Sequence, residues 1–278
     1  MLPDDGGPAD AGAPVASVRT RSVIDAAKLL MAKERREQRL FLADGPQVVA
    51  EALAAAVVRQ VFVADTASAK VRDLADAARD RGADVVVCDD PALSKVSGTQ
   101  HPQGIVAVVE IPEPSFAVDV STTRLIVALD RIADPGNLGT IIRTAAAAGA
   151  DAVVLSPECV DPYNDKCVRS STGSIFHVPV IEDVDLATMA GQCSTAGITV
   201  IVADAGGQQL DSPEMVELLH QPAMWIFGSE AHGISDQIRA AATVVAAVPH
   251  YGVAESLNVA SAAAVCVFAS AMAQRSRA

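Results

Sequence analysis

Apolar residues along this chain recur with two periods, and the alternation between them predicts an α/β protein. From Val23 to Arg39 the spacing is helical, with Ile24, Ala27, Leu30 and Met31 on one face. Leu40–Ala43 reads as a short strand. Pro46 then falls in the first turn of a helix running to about Ala56, a position proline favours because its missing N–H would be unpaired there anyway. Val61–Ala64 predicts a strand, Ser68–Arg81 a helix closed by Gly82, and Val85–Cys88 and Ile105–Val109 two more strands. These elements make a compact α/β unit over residues 17–110.

The pattern breaks over 111–123, where Pro112, Pro114, Ser115, Ser121 and two threonines interrupt it, so a linker is expected there. Beyond it, over 124–278, strands at Leu125–Leu129, Ala152–Leu155, Thr199–Ala203, Met224–Phe227 and Val244–Val248 alternate with helices. Such short, Val/Ile/Leu-rich strands imply a buried, mostly parallel sheet. The last helix, Leu257–Ala273, is so rich in alanine that one face can pack closely on a neighbour. By pattern alone this unit is doubly wound, with its ligand at the carboxyl ends of the strands.

Composition narrows the class. With 278 residues, half of them hydrophobic, the chain can bury a full core in two domains. No apolar run reaches the roughly 18–20 residues that span a bilayer. The Gly/Pro/Asp-rich start has no basic region and no apolar stretch, so residues 1–16 are expected to be a disordered tail, not a signal peptide. Five widely spaced cysteines without a C-x-x-C pair suit small core residues in a reducing cytoplasm, and the five histidines show no metal-ligand spacing. Neither a membrane nor a metal is expected as a partner. A net charge of −13 argues against a general nucleic-acid coat. Yet Ser17–Arg39 holds seven basic residues against three acidic ones, a local excess open to two readings: a polyanion contact or a solvated helix face.

Three separated stretches carry the candidate chemistry: Ala128–Gly149, Trp225–Ser235 and Val248–Ala264. Each passes from a β-like run through a glycine-containing loop into a helix-like segment, and Asn137, Arg143, Glu230, Ser256 and Asn258 lie in or just beyond these loops. The recurrence suggests one pocket built from strand ends. It is not a dinucleotide site, because Gly136-Asn137-Leu138-Gly139 is no G-x-G-x-x-G, and no GxxxxGK[ST] phosphate loop occurs.

In order and content the three loops resemble the SpoU (TrmH) family of RNA 2′-O-methyltransferases. The family's N-L-G-x-x-x-R is matched by Asn137, Leu138, Gly139 and Arg143; its G-x-E-x-x-G by Gly228, Glu230 and Gly233; its P-x-x-G-x-x-x-S-L-N-V by Pro249, Gly252, Ser256, Leu257, Asn258 and Val259. Lys166–Val180 also looks like the family's segment between the first two motifs. The resemblance implies a SPOUT-type parallel α/β domain whose C-terminal segment is threaded into a deep trefoil knot, correcting the simple doubly wound expectation. It further implies S-adenosylmethionine as cofactor and a cytoplasmic homodimer.

For the residues, the resemblance implies that Arg143, Asn137, Ser256, Asn258 and Glu230 form the catalytic set. Gly228, Val248, Leu257, Ser256 and Phe227 then hold the cofactor, largely through main-chain groups. The family gives Arg143 the task of removing the ribose hydroxyl's proton. Because a guanidinium has a pKa of about 12.5–13.8, proton exchange through an RNA phosphate or plain charge stabilisation stay open. Asn137 and Ser256 could instead cap their helices, and Glu230 could pair at the surface. Arg169 is a candidate phosphate contact with an ion pair as its alternative, and Tyr251 a candidate lining residue. Arg35, Arg36 and Arg39 are the RNA contacts suggested by the basic stretch.

The first unit looks like the small α/β RNA-binding domain, similar to certain ribosomal proteins, that precedes the catalytic domain in rRNA-directed members such as the thiostrepton-resistance methyltransferases. Leu42–Leu53 and Thr99–Val109 carry that likeness, with Asp44 where relatives often have Glu. It favours 23S rRNA over tRNA as substrate. The competing expectations are a tRNA methyltransferase of the same family and a non-catalytic RNA-binding or ribosome-assembly factor.

Overall fold

A computed structural model of the protein describes residues 15–113, 119, 122–229, 233–253 and 256–276. Its first part comprises α1 (Arg21–Ala27), a 3-10 turn (Lys28–Leu30), α2 (Ala32–Gln38), β1 (Leu40–Asp44), α3 (Pro46–Ala55), β2 (Val58–Ala64), α4 (Ala69–Asp80), β3 (Asp84–Cys88), α5 (Asp90–Ser97) and β4 (Ile105–Glu110). The four strands form a sheet in the order β1-β4-β2-β3, with β4 antiparallel to both neighbours and β2 parallel to β3.

The single helix expected over Val23–Arg39 is instead broken. Met31 takes an extended conformation between the 3-10 turn and α2, and Arg39 closes α2 with a left-handed φ of 55°. The buried face also differs: Val23, Ala26 and Leu29 point into the core, while Ile24 and Met31 are exposed. Val23 and Ala26 belong to α1 and Leu29 to the 3-10 turn, so the buried face runs across the change of element. Of the expected tail, Val15 and Ala16 are described, and Ala16 is buried and paired to β3 through Val87 and Asp89; residues 1–14 lie outside the described residues. So do 114–118, 120 and 121 of the expected linker. Helix α5, which the pattern did not announce, is capped by the Asp89 carboxylate and closed by Gly98 at φ 72°.

The second part comprises β5 (Leu125–Asp130), α6 (Pro135–Ala148), β6 (Ala152–Leu155), α7 (Asp165–Ser171), a 3-10 turn (Ser174–Phe176), β7 (Val180–Ile181), α8 (Leu186–Thr195), β8 (Thr199–Gln209), α9 (Pro213–Leu218), β9 (Ala223–Gly228), α10 (Asp236–Ala241), β10 (Val244–Ala247) and α11 (Val259–Ser276). The strands form one sheet in the order β10-β8-β9-β5-β6-β7, every pairing parallel. Successive side chains alternate between its faces. Ile126, Ala128, Val200, Val202, Met224 and Ile226 pack with α8 and α10 residues on one side. Leu125, Val127, Leu129, Ile201, Trp225 and Phe227 share the other core with α6 and α11. Each fully buried Leu, Ile or Phe contributes roughly 1.5–3 kcal/mol relative to exposure, so both faces are strongly held.

Helix α11 is long and apolar enough to cross a membrane by length and composition alone. It is nevertheless a core helix: Ala263, Val267 and Ala271 are buried, and buried Ser270 accepts a hydrogen bond from the Trp225 indole at 2.8 Å.

One continuous core joins the two parts. Phe41 of β1 lies 5.0 Å from Tyr163 and 5.9 Å from Phe176, ring centre to ring centre. Polar contacts follow the same seam: Arg35 to Asp161, Glu51 to His177, and Asp44 facing Arg169. The N-terminal sheet is thereby docked directly against α7.

Candidate active site

A cavity of about 320 Å³ opens at the carboxyl ends of β9 and β10, beside the middle of β8. Phe227, Gly228, Val248, Ser256 and Leu257, the five residues expected to hold a cofactor, all line it. Its size falls in the roughly 300–1,000 Å³ range of small-molecule pockets. Gly228 ends β9, where a Cβ would stand 2.5 Å from the Gly233 carbonyl group and 2.8 Å from Ile234 Cγ1. Only a hydrogen fits between strand end and loop, so the chain folds back tightly, and the Gly233 N–H donates to Ser229 O at 2.8 Å. Glu230, inside that loop, lies outside the described residues.

The wall formed by Ala203, Asp204 and Ala205 was not foreseen. Strand β10 pairs Val245 with Val202 but Ala246 with Gln208, so Ala203–Gly207 bulges out of the ladder. Gly207 permits the return, since a Cβ there would lie 2.6 Å from Val245 and Ala246 backbone atoms. The bulge presents Asp204, whose carboxylate accepts from Gly206 N–H at 2.9 Å and from Arg239 Nη2 at 2.6 Å. These bonds, the Gly206 N–H foremost, hold its pKa below the usual carboxylate range, so it stays ionised beside the cavity. The sequence signal available was the Asp-Ala-Gly-Gly run, which ended the strand expectation at Ala203 too early.

The first and third motifs meet at the edge of this cavity. Asn258 Nδ2 donates to Asn137 Oδ1 at 3.0 Å, while Asn258 Oδ1 accepts from Ala260 N–H at 3.0 Å at the start of α11. Asn258 is therefore both helix cap and clamp, and its neighbours Leu257 and Val259 line the cavity. The capping roles considered for Asn137 and Ser256 pass to other residues. The cap of α6 is Asp134, accepting from Gly136 and Asn137 N–H groups at 2.7 and 3.0 Å; that of α11 is Asn258. Asp134 also pairs with Lys166 at 2.9 Å, fixing the start of α6 against the start of α7. Gly139 lets these helices touch, because a Cβ there would collide with Cys167 O and Ser170.

Arg143 does not line the cavity. It lies six residues beyond Asn137 on α6, about 9 Å further along the axis. Its exposed side chain donates from Nη1 to Thr172 Oγ1 at 3.2 Å, and among the described residues no ion pair involves it. Tyr251 is exposed and donates to Asp211 at 3.1 Å, away from the lining.

The expected RNA contacts divide. Arg36 and Arg39 are exposed. Arg35 is not: its side chain is 3 % exposed, bonded to Asp161 Oδ2 at 2.6 and 2.9 Å and to Leu29 O at 2.7 Å. That correction follows from a partner 126 residues away, invisible to local charge counting. Arg169 is engaged too, with Asp165 at 2.8 Å and buried Asp44 at 3.6 Å, so the ion-pair alternative describes it. A larger groove of about 890 Å³ runs between the two parts past Arg39, Arg59 and His177, but it holds no residue of the three motifs.

Residues 124–268 match the SpoU rRNA methylase family, and residues 21–107 match the MRM3-like substrate binding domain. The 23S rRNA (guanosine(2553)-2′-O)-methyltransferase RlmP of Bacillus subtilis is 36% identical over 259 residues, spanning 91% of this chain and 97% of that one. The 23S rRNA (guanosine-2′-O-)-methyltransferase RlmB of Ralstonia nicotianae is 30% identical over 221 residues, spanning 77% and 87%. Among solved structures, the SpoU methyltransferase AviRb from Streptomyces viridochromogenes in complex with AdoMet superposes with a TM-score of 0.78, at 27% identity over 93% of this chain and 98% of that one. An AdoMet-bound rRNA methyltransferase from Sinorhizobium meliloti gives 0.74 at 28% identity, covering 92% and 97%. This chain belongs to the SpoU rRNA methylase family.

Proposed function

We propose that the protein methylates the 2′-hydroxyl of one ribose in 23S rRNA, using S-adenosylmethionine. The observation that carries this is the Asn137–Asn258 bond, which ties the first motif to the third at the rim of the strand-end cavity. The residues present suit that cofactor. Gly228 packs without a side chain against Gly233 and Ile234 to shape the cavity wall, Phe227 and Leu257 offer apolar surface, and Asp204, held by Arg239, adds a carboxylate to the polar side of the wall. When bound, the cofactor supplies a methyl group already activated by its sulfonium charge.

The protein's own task is to hold the ribose hydroxyl in line and stabilise the charge that develops as its proton leaves. Arg143 is the cation for this. An arginine pKa of about 12.5–13.8 makes it a poor base unless an RNA phosphate relays the proton, so charge stabilisation is the role we assign. Asn137 and Asn258 fix the start of α6, and hence the direction in which it projects Arg143.

The N-terminal sheet presents the RNA, with exposed Arg36 and Arg39 as phosphate contacts on an otherwise acidic protein. A homodimer is supported by α11, where Val265, Phe268 and Met272 form an exposed apolar stripe at helical spacing. The trefoil knot and a cytoplasmic location complete the reading.

The test is transfer of labelled methyl from S-adenosylmethionine to purified 23S rRNA and to tRNA. Label should enter rRNA, and Arg143→Ala should lower kcat about 10²–10³-fold while cofactor affinity holds. Label only in tRNA would move the substrate, and none in either RNA would sink the enzymatic reading.

A further inference from the structure

Resting on the function proposed above, we infer that Thr172 is a positioning residue for Arg143, and that the docked N-terminal sheet holds it in place. Thr172 ends α7 with φ 52° and ψ 38°, a left-handed conformation that a β-branched residue rarely adopts. Glycine or asparagine is the ordinary residue at such a helix end. The threonine therefore sits where its backbone preference is poor and its side chain is used. Its hydroxyl donates to Ser170 O at 3.4 Å, which leaves a lone pair aimed at Arg143 Nη1, 3.2 Å away. Strained residues of this kind persist when the surroundings over-determine them, and they concentrate at functional sites.

The surroundings here belong to the other part of the molecule. Gly173, next in the chain, is also left-handed at φ 88°, and a Cβ on it would stand 2.5 Å from Glu51 Cγ. Glu51 lies on α3, accepts from Gln47 Nε2 at 2.9 Å and contacts His177 Nε2 at 2.8 Å. The Thr172–Gly173 turn is thus pinned between α6 and α3. Asp44 of β1, facing Arg169 one turn earlier in α7, braces the same helix. A shift of the N-terminal sheet would move this turn and with it the bond that aims the guanidinium, so seating of the RNA-presenting part and alignment of Arg143 share one element.

Three variants test this. Thr172→Ser keeps the hydroxyl, Thr172→Val keeps the shape without it, and Thr172→Gly relieves the backbone while removing it. We expect Ser to retain kcat within about two-fold, and Val and Gly to lose about ten-fold in kcat with KM for rRNA unchanged, the scale of one lost hydrogen bond to a charged group. The Gly variant relieves the left-handed strain but frees the unfolded chain, so the melting midpoint of each variant is measured to separate a loss of turnover from unfolding. Independently of turnover, the ¹⁵N signals of the Arg143 guanidinium should show slowed rotation in parent and Ser, and free rotation in Val and Gly. A Val or Gly variant as fast as the parent, or an Arg143 guanidinium that rotates freely in the parent, overturns the inference. A parent that methylates no RNA refutes the proposed function instead, and the guanidinium signals still decide the role of Thr172.

Discussion

Replacing Asp161 with asparagine should destabilise the protein without touching its chemistry, because Asp161 neutralises a buried arginine. The Arg35 and Asp161 side chains are 3 % and 12 % exposed, and two guanidinium nitrogens share one carboxylate oxygen at 2.6 and 2.9 Å. Asparagine keeps the shape and the bond from Tyr163 N–H, at 2.8 Å in the parent, but removes the charge. Breaking a buried pair costs about 3–5 kcal/mol, since it strands an uncompensated charge. The isosteric amide leaves no cavity, but with Oδ1 still bonded to Tyr163 its Nδ2 faces the Arg35 donors, so about 3 kcal/mol is the least expected. For a chain of this size 1 kcal/mol moves the melting midpoint about 2–4 °C, so the expected loss is at least roughly 6–12 °C by calorimetry. Arg36→Ala, at an exposed position of the same helix, should change stability by less than about 0.5 kcal/mol. The paired replacement Arg35→Met with Asp161→Leu should recover most of the loss and bind rRNA with the parent's salt dependence. An Asp161→Asn protein melting within about 2 °C of the parent would refute the reading of Arg35 and Asp161 as a stabilising buried pair. A shallower salt dependence in the paired variant would return Arg35 to the RNA surface.

Other perturbations probe the remaining claims. Gly228→Ala forces a methyl group to within 2.5 Å of the Gly233 carbonyl group; calorimetric titration with S-adenosylmethionine should show affinity reduced at least ten-fold, and parental affinity would disprove the close-approach argument. Phe268→Glu with Met272→Glu should convert a dimer into a monomer in sedimentation, whereas an unchanged dimer would exclude the α11 stripe as its seam. Burial raises the Asp44 pKa, so folding disfavours its ionised form, a penalty present above the folded pKa and relieved as protonation proceeds below it. Asp44→Asn should therefore melt above the parent at neutral pH, with the gap closing as the pH falls through the carboxylate range. A variant less stable at neutral pH would mean that the pairing of Asp44 with Arg169 outweighs its burial.

The site was legible in the sequence where chemistry and local geometry coincide. Phe227, Gly228, Val248, Ser256 and Leu257 all border the cavity; the motif resemblance singled them out, while periodicity alone gave only the strand ends near which they lie. Asn137 and Asn258 are expected at the site from the motifs, but their bond to each other spans 121 positions and is not legible in either motif alone. Asp204 stayed hidden because a register shift between β10 and β8 decides where that segment leaves the sheet. Arg35 was misassigned for a similar reason: its basic stretch gives a net charge, while its partner lies across the seam between the two parts. The cap of α6 is Asp134 and not the alternative Asn137, because Pro135 and Gly136 open the helix before the apolar pattern begins.

The central claim is ribose methylation of 23S rRNA, and mapping the modified nucleotide tests it most directly. Primer extension at low nucleotide concentration, on 23S rRNA treated with enzyme and S-adenosylmethionine, should give one new stop that depends on the enzyme and is lost with Arg143→Ala. Label in 23S rRNA without such a stop, or a methyl group located on a base, would contradict it.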